Sequence, residues 1–176
     1  SLVNEAVTRF DFSHFAKVTD EELQRIEHRV NEKIRENIAL DERRNVPVQE
    51  AMNMGAMALF GEKYGEFVRV ITFDPAFSRE LCGGTHVSAT GQIGLFKIIS
   101  EGAVAAGVRR VEAITAGAAE QYMEEQLRQL HAVREALKHP KDAVEKVNQL
   151  LEENARLQEQ VKALIGEKAQ QVKKSI

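Results

Sequence analysis

The chain carries a single cysteine, Cys82, and a histidine, His86, follows it across Gly83, Gly84 and Thr85. A thiolate and an imidazole this close together can grip one zinc ion, because zinc takes sulfur and nitrogen ligands in a tetrahedron. Two adjacent glycines remove both Cβ atoms, so the backbone can approach a ligand closely or turn through positive φ. By spacing alone a plainer reading stays open beside this one, a buried thiol next to a surface imidazole. The other histidines are His14, His28, His131 and His139.

The elements that must carry this loop can be read from periodicity and punctuation. Residues 3–12 alternate loosely through Val7, Phe10 and Phe12, as in a strand. Thr19 and Glu22 form a capping box, and the helix behind it places Leu23, Ile26, Val30 and Ile34 on one core-facing stripe. His28 falls off that stripe and should face solvent, while His14 follows a strand inside one of the stretches discussed below. Residues 38–46 read as a strand interrupted by the charged run Asp41-Glu42-Arg43-Arg44. Pro47 then suits the first turn of a helix over 48–54 that ends at Gly55 and turns Met52, and Met57 beyond it, inward. An apolar face over 56–60 and a turn over 61–65 lead to a buried strand over 66–73. Asp74-Pro75 ends that strand and delivers the chain to Cys82. A short turn or single helical turn follows His86. Strands over 93–100 and 108–115, joined by a Gly/Ala-rich connection, come next. The second opens with Arg109 and Arg110, a pair that on an edge is ordinarily solvated.

Past residue 116 the composition turns to good helix formers, with a break at Lys138-His139-Pro140. In the second helix Val147, Leu150, Asn154, Leu157, Val161 and Leu164 recur at alternating steps of four and three, a short heptad seam with one polar position. Such a seam serves a dimer through residues 140–176 or a helical hairpin folded back on its predecessor. A chain of 176 residues has room for one domain and an appendage. Its net charge of −3 argues against a protein that coats nucleic acid generally, so any RNA contact rests on a local patch. One cysteine allows no internal disulfide and fits a reducing cytoplasm. The longest apolar run is too short to span a bilayer.

Four ordered stretches carry a resemblance. Arg79-Glu80-Leu81-Cys82-Gly83-Gly84-Thr85-His86-Val87 resembles the second half of the zinc site in the editing domain of alanyl-tRNA synthetases. Arg9-Phe10-Asp11-Phe12-Ser13-His14, Ile93-Gly94-Leu95-Phe96-Lys97-Ile98 and Gly107-Val108-Arg109-Arg110-Val111-Glu112-Ala113 resemble the same family in the same order. The likeness covers residues 1–120 well and the remainder as a helical continuation. It implies an α+β fold: an antiparallel or mixed sheet with helices packed on it over residues 1–116, then a helical arm over 117–176, either hairpin or coiled coil.

The resemblance also implies a chemistry. An editing domain hydrolyses the ester of a mischarged Ser-tRNA or Gly-tRNA of alanine identity, because an alanine pocket cannot reject glycine or serine strongly enough by itself. Zinc would be held by Cys82 and His86 plus a His-x-x-x-His pair from a helix expected to precede Ser1. The ion's role stays open between activating water and positioning the substrate amino group. Gly83 and Gly84 would offer amides to the substrate carbonyl or terminal adenosine, with Thr85 nearby. Arg109 and Arg110 would contact tRNA phosphates, since guanidinium forks match phosphate oxygens. Cys82 and His86 are thus the catalytic as well as the metal-binding candidates.

With two of four ligands, this chain alone is expected to bind zinc weakly and edit poorly. No nucleotide-binding loop occurs, so ATP and Mg would belong to a charging domain elsewhere. The implied partner is tRNA(Ala), with neither DNA nor membrane. The competing readings are a freestanding trans-editing deacylase, the related threonyl editing domain, and a non-enzymatic coiled-coil or RNA-binding module. The helical arm weighs against the first of these, and Gly-Gly-Thr against the threonyl type.

Overall fold

The computed structural model describes residues 2–58 and 64–174 and divides into two compact units, Ser1–Met123 and Glu124–Ile176. In chain order the elements are β1 (Leu2–Val3), β2 (Thr8–Ser13), α1 (Asp20–Arg35), β3 (Asp41–Pro47), α2 (Val48–Asn53), β4 (Phe67–Thr72) and β5 (Arg79–Leu81). A 3-10 turn (Thr90–Ile93), β6 (Phe96–Ala105), β7 (Val108–Thr115), α3 (Ala116–Ala136) and α4 (Ala143–Lys174) follow. The architecture is α+β, with one sheet ordered β1-β2-β7-β6 and another ordered β3-β4-β5, both antiparallel. The one parallel pairing among the described residues is an isolated bridge between Met57 and Glu80.

Helix α1 starts where its sequence requires. The Thr19 hydroxyl accepts from the Glu22 amide at 3.2 Å, and the Glu22 carboxylate accepts from the Thr19 amide at 2.9 Å. Its apolar stripe is less covered than the spacing implies: Ile34 is buried, but Ile26 is 47% exposed. The reason lies in what α1 packs against, which is the outer edge of β6. Asn31 accepts from the Phe96 amide at 2.9 Å and donates to the Phe96 carbonyl at 2.8 Å. Glu27 accepts from the Ile98 amide and from Lys97 Nζ, each at 3.0 Å. An edge strand presents unpaired backbone groups, and here the polar side chains of a helix satisfy them.

The smaller sheet holds the principal core. Val46, Ala51, Ala56, Val70 and Leu81 are buried together, with Ala58, Tyr64 and Val68 packed against them. The alternating apolar residues of β4 explain its central place, and Val70 and Ile71 are almost wholly buried. The charged run Asp41-Glu42-Arg43-Arg44 does not interrupt β3, because an outer strand can carry charges that pair beside it: Arg43 with Asp41, and Glu42 with both Arg44 and Arg69. A register shift between Arg43 and Val46 absorbs Asn45, whose φ is 55°.

Two further expectations are corrected. Met52 and Met57 are 48% and 70% exposed rather than inward, since the six-residue α2 buries only Ala51 and Met57 lies along β5 at the open edge of its sheet. Arg109 and Arg110 sit on β7, an interior strand of the larger sheet, rather than on an edge. The turn expected over 61–65, and the end of the apolar face before it, fall largely outside the described residues.

In the second unit, α4 is about 48 Å long at the usual helical rise. Its seam is uncovered: Val147, Leu150, Leu157, Val161 and Leu164 are all 38% exposed or more. Leu127, Leu130 and Val133 on α3 are about half exposed as well, so the two helices do not shield each other as a packed hairpin would. Asn154 accepts within the helix from Gln158 at 2.8 Å. No helix among the described residues is long and apolar enough to cross a membrane.

Candidate metal centre

The loop of Cys82 is built from β4 and β5. Their register pairs Val70 with Leu81, Ile71 with Glu80 and Thr72 with Arg79. The turn between them is set by Asp74, at φ 137°, whose carboxylate accepts from the Ala76 amide at 3.0 Å and from Lys33 Nζ at 3.1 Å. Those two bonds, the Ala76 amide first, hold the Asp74 carboxyl below its ordinary range. The ladder continues one step past β5, where the Cys82 amide donates to the Arg69 carbonyl at 3.3 Å. On the far side, the Leu40 amide donates to the Ser88 carbonyl at 2.9 Å. Thr90 donates to the Lys33 carbonyl and accepts from the Ile38 amide, at 2.7 and 2.8 Å. Beside that anchor a Cβ on Gly91 would lie 2.4 Å from the Asn37 amide oxygen, so the Asn37 side chain would have to shift to admit one. Both ends of the Cys82–His86 loop are therefore fixed.

Within the loop, strand alternation decides which side chains meet. Leu81 points into the core, so Glu80 and Cys82, two residues apart, share the opposite face. His86 returns to that face. Ligand atoms of Glu80, Cys82 and His86 all lie within 4.8 Å of one another, and each residue is half-buried. The His86 Nε2 atom is buried and makes no hydrogen bond, with the Phe73 ring 6.2 Å away. A buried polar atom without a partner is uncommon in a folded protein and marks a place where a ligand would serve.

Arg69 clasps the turn. One of its terminal nitrogens donates to the Cys82 carbonyl at 3.2 Å and to the Gly84 carbonyl, while Nε donates to Glu42 at 2.9 Å. The Arg69 guanidinium, first, and that of Arg44 hold the Glu42 carboxyl below its ordinary range. Gly84 donates its amide to Cys82 Sγ at 3.4 Å. Neither Gly83 nor Gly84 is among the residues with positive φ, and a Cβ on Gly83 would meet nothing within 4 Å. Their value is open space. Gly83, Gly84 and Thr85 are exposed on one wall of a cleft of about 450 Å³ shared with Arg44, Asn45 and Arg69.

A larger groove of about 1130 Å³ lies between β2 and α1, against Phe12, Val18, Ile26 and Phe77, and includes none of Glu80, Cys82 or His86. His14 and His28 line that groove and are exposed.

Arg109 and Arg110 stand apart from the loop. Arg109 makes a two-pronged pair with Glu101, whose side chain is 2% exposed, and Arg110 makes one with Asp11 at 2.6 and 2.7 Å. Each carboxyl is lowered, chiefly by the hydrogen bond from its arginine. Sequence reading missed Glu80 and Arg69. The signals were present: an acid two residues before the cysteine in a strand, and a lone charge within the apolar run Phe67–Thr72.

A thiolate, an imidazole and a carboxylate, with the imidazole's buried nitrogen unsatisfied, suit a zinc-class ion. The comparisons concern this same region. Residues 68–112, from β4 through the loop into β7, match the family described as the Threonyl and Alanyl tRNA synthetase second additional domain. Over all 176 residues the chain is 63% identical to an alanine–tRNA ligase of Cytophaga hutchinsonii, 51% to one of Christiangramia forsetii and 49% to one of Flavobacterium psychrophilum. It covers 20% of each of those relatives. The chain is therefore similar over its whole length to one segment of alanine–tRNA ligases, and that segment includes the match to the second additional domain.

Proposed function

We propose that this segment contributes a hydrolytic editing site of an alanyl-tRNA synthetase, clearing Ser-tRNA(Ala) and Gly-tRNA(Ala) in the cytoplasm. The observation that carries the reading is the convergence of Glu80, Cys82 and His86 donors beside an open glycine turn. Cys82 and His86 would hold zinc, with further histidines contributed from elsewhere in the larger protein. When bound, the ion supplies a positive centre that polarises a water or orients the substrate amino group.

The chain's own residues do the remaining work. Among the two loop glycines, the Gly83 amide is the better donor to the ester carbonyl, because the Gly84 amide already faces Cys82 Sγ. The exposed Thr85 hydroxyl lies on the same wall and would orient the terminal ribose. Contact of Arg109 and Arg110 with tRNA phosphates belongs to this proposal too. Arg110, a third exposed, is better placed than Arg109, which would have to leave a buried carboxylate. Charging with ATP and Mg would be the task of other parts of the larger protein.

The decisive experiment is deacylation of Ser-tRNA(Ala) by the larger synthetase carrying Cys82→Ala or His86→Ala. Loss of hydrolysis with charging intact supports the reading, and unchanged hydrolysis defeats it. A second role has its own support, the uncovered seam of α4: homodimerisation through residues 140–176. Sedimentation of the chain with and without those residues tests it.

A further inference from the structure

We infer that Phe67 and Arg44 hold one unpaired nucleotide of the tRNA 3′ end, its base stacked on the Phe67 ring and its phosphate against the Arg44 guanidinium. The inference rests on the editing reading given above and adds to it the residues that seat the strand carrying the ester.

Strand geometry brings the two residues to the loop. The core-facing pair Val70 and Leu81 leaves Arg69 and Cys82 together on the other side of the sheet. Phe67, two residues before Arg69 on β4, falls on that same side and stays 60% exposed. On β3 the register shift between Arg43 and Val46 takes Arg44 and Asn45 out of the ladder. Arg44, Asn45, Phe67 and Arg69 thereby line one cleft of about 450 Å³ with Gly83, Gly84 and Thr85. The glycine turn offered to the ester and the open ring of Phe67 face the same space, which has room for one nucleotide.

An exposed phenylalanine alone is ordinary. What sets this one apart is the charge around it. None of the described residues lining the cleft is acidic, and two are arginines. Glu42 pairs with both Arg44 and Arg69, so two guanidiniums share one carboxylate and a positive charge is left over. Arg44 reaches Glu42 through Nε, and among the described residues its terminal nitrogens meet no acceptor. Arg109 and Arg110, by contrast, each commit two nitrogens to a carboxylate. On a chain of net charge −3 this cleft is the local patch that an RNA contact requires. A ring that accepts any base face, beside a cation for the backbone, is how unpaired nucleic acid is bound. A duplex offers no such free base, so the occupant is a single strand.

The test is steady-state deacylation of Ser-tRNA(Ala) by the larger synthetase, with KM and kcat read separately over a range of salt concentrations. Phe67→Ala should raise KM about tenfold, the order of one base on one ring, while kcat changes by less than about twofold. Phe67→Tyr keeps the ring and should stay near the wild-type KM. Phe67→Leu keeps apolar bulk without the ring and should follow Phe67→Ala. Arg44→Gln should raise KM and lower the slope of log KM against log salt by about 0.7, the value of one phosphate contact on a single strand. Glu42 keeps Arg69 in that variant, so no carboxylate is stranded. Melting midpoints show that each variant is folded, and Phe67→Leu decides if Phe67→Ala melts early. Wild-type KM in Phe67→Leu, or a salt slope unchanged by Arg44→Gln, overturns the inference. If that happens while Cys82→Ala no longer deacylates, the nucleotide contact alone is refuted and the editing reading stands. If Cys82→Ala deacylates normally, the editing reading falls, and this inference with it.

Discussion

Both sheets pair most of their charges, and they differ beside the Cys82 loop. On the four-stranded sheet each of its arginines has a carboxylate: Arg9 with Glu112, Arg109 with Glu101, Arg110 with Asp11. On the three-stranded sheet Arg69 divides itself between Glu42 and two loop carbonyls, and the buried His86 Nε2 is left without a partner beside Cys82. Paired charge builds architecture, while donors held close together without partners are where a ligand is accommodated. The motif-like arginines drew attention in the sequence, but each is held by a carboxylate of its own sheet.

The contrast can be broken most forcefully at Arg109. Arg109→Ala strands the nearly buried Glu101 carboxylate, and the thermal midpoint should fall by about 10 °C, since removing one partner of a buried pair is strongly destabilising. Affinity of the folded fraction for cobalt(II), a visible stand-in for zinc at Cys82 and His86, should stay at the wild-type level. A variant that melts normally would show the pair to be dispensable, which scanning calorimetry would reveal.

Acid should act on the same sheet. Asp11, Glu101 and Glu112 all have folded values below their ordinary ones, so their contribution is complete above the usual carboxylate range, near 4. It is lost as pH falls through that range and the lower folded values. Melting curves recorded downward from pH 6 should steepen there, and Glu101→Gln should flatten the dependence.

Arg69→Gln should do the reverse of Arg109→Ala. Stability changes modestly, but the turn loses its clasp and cobalt affinity falls about tenfold, with partial recovery in Arg69→Lys. Titration of both variants separates positioning from general destabilisation, because a merely structural loss would track the melting midpoint. The smallest effect belongs to Gly83→Ala. With open space and no positive φ at that residue, stability should shift by no more than about 0.5 kcal/mol. Deacylation by the larger synthetase should still suffer, because the methyl occupies the cleft.

What the sequence revealed was local. The Thr19–Glu22 box and the alternation of β4 depend on neighbours within a few residues and formed as their patterns require, while in the β6–β7 hairpin β6 starts at Phe96 and runs to Ala105, through most of the stretch read as a connection. What escaped was relational. Ile26 is half open because α1 spends Glu27 and Asn31 on the edge of β6, a partner 65 residues or more away. Arg69 meets the Cys82 and Gly84 carbonyls only through a cross-strand register. Met52 and Met57 read as core because methionine usually is, yet the six-residue α2 has only Ala51 to bury.

The grip of α1 on β6 also bears on how the protein behaves in a crowded solution. Glu27 and Asn31 occupy the Phe96 and Ile98 backbone groups that a foreign strand would need, and Lys97 beside them carries a charge. At the other margin β1 offers only two residues. The larger sheet is therefore poorly suited to templating fibrillar growth at either side. Weakening that helix should surface first as turbidity on prolonged incubation, before any loss of helical signal.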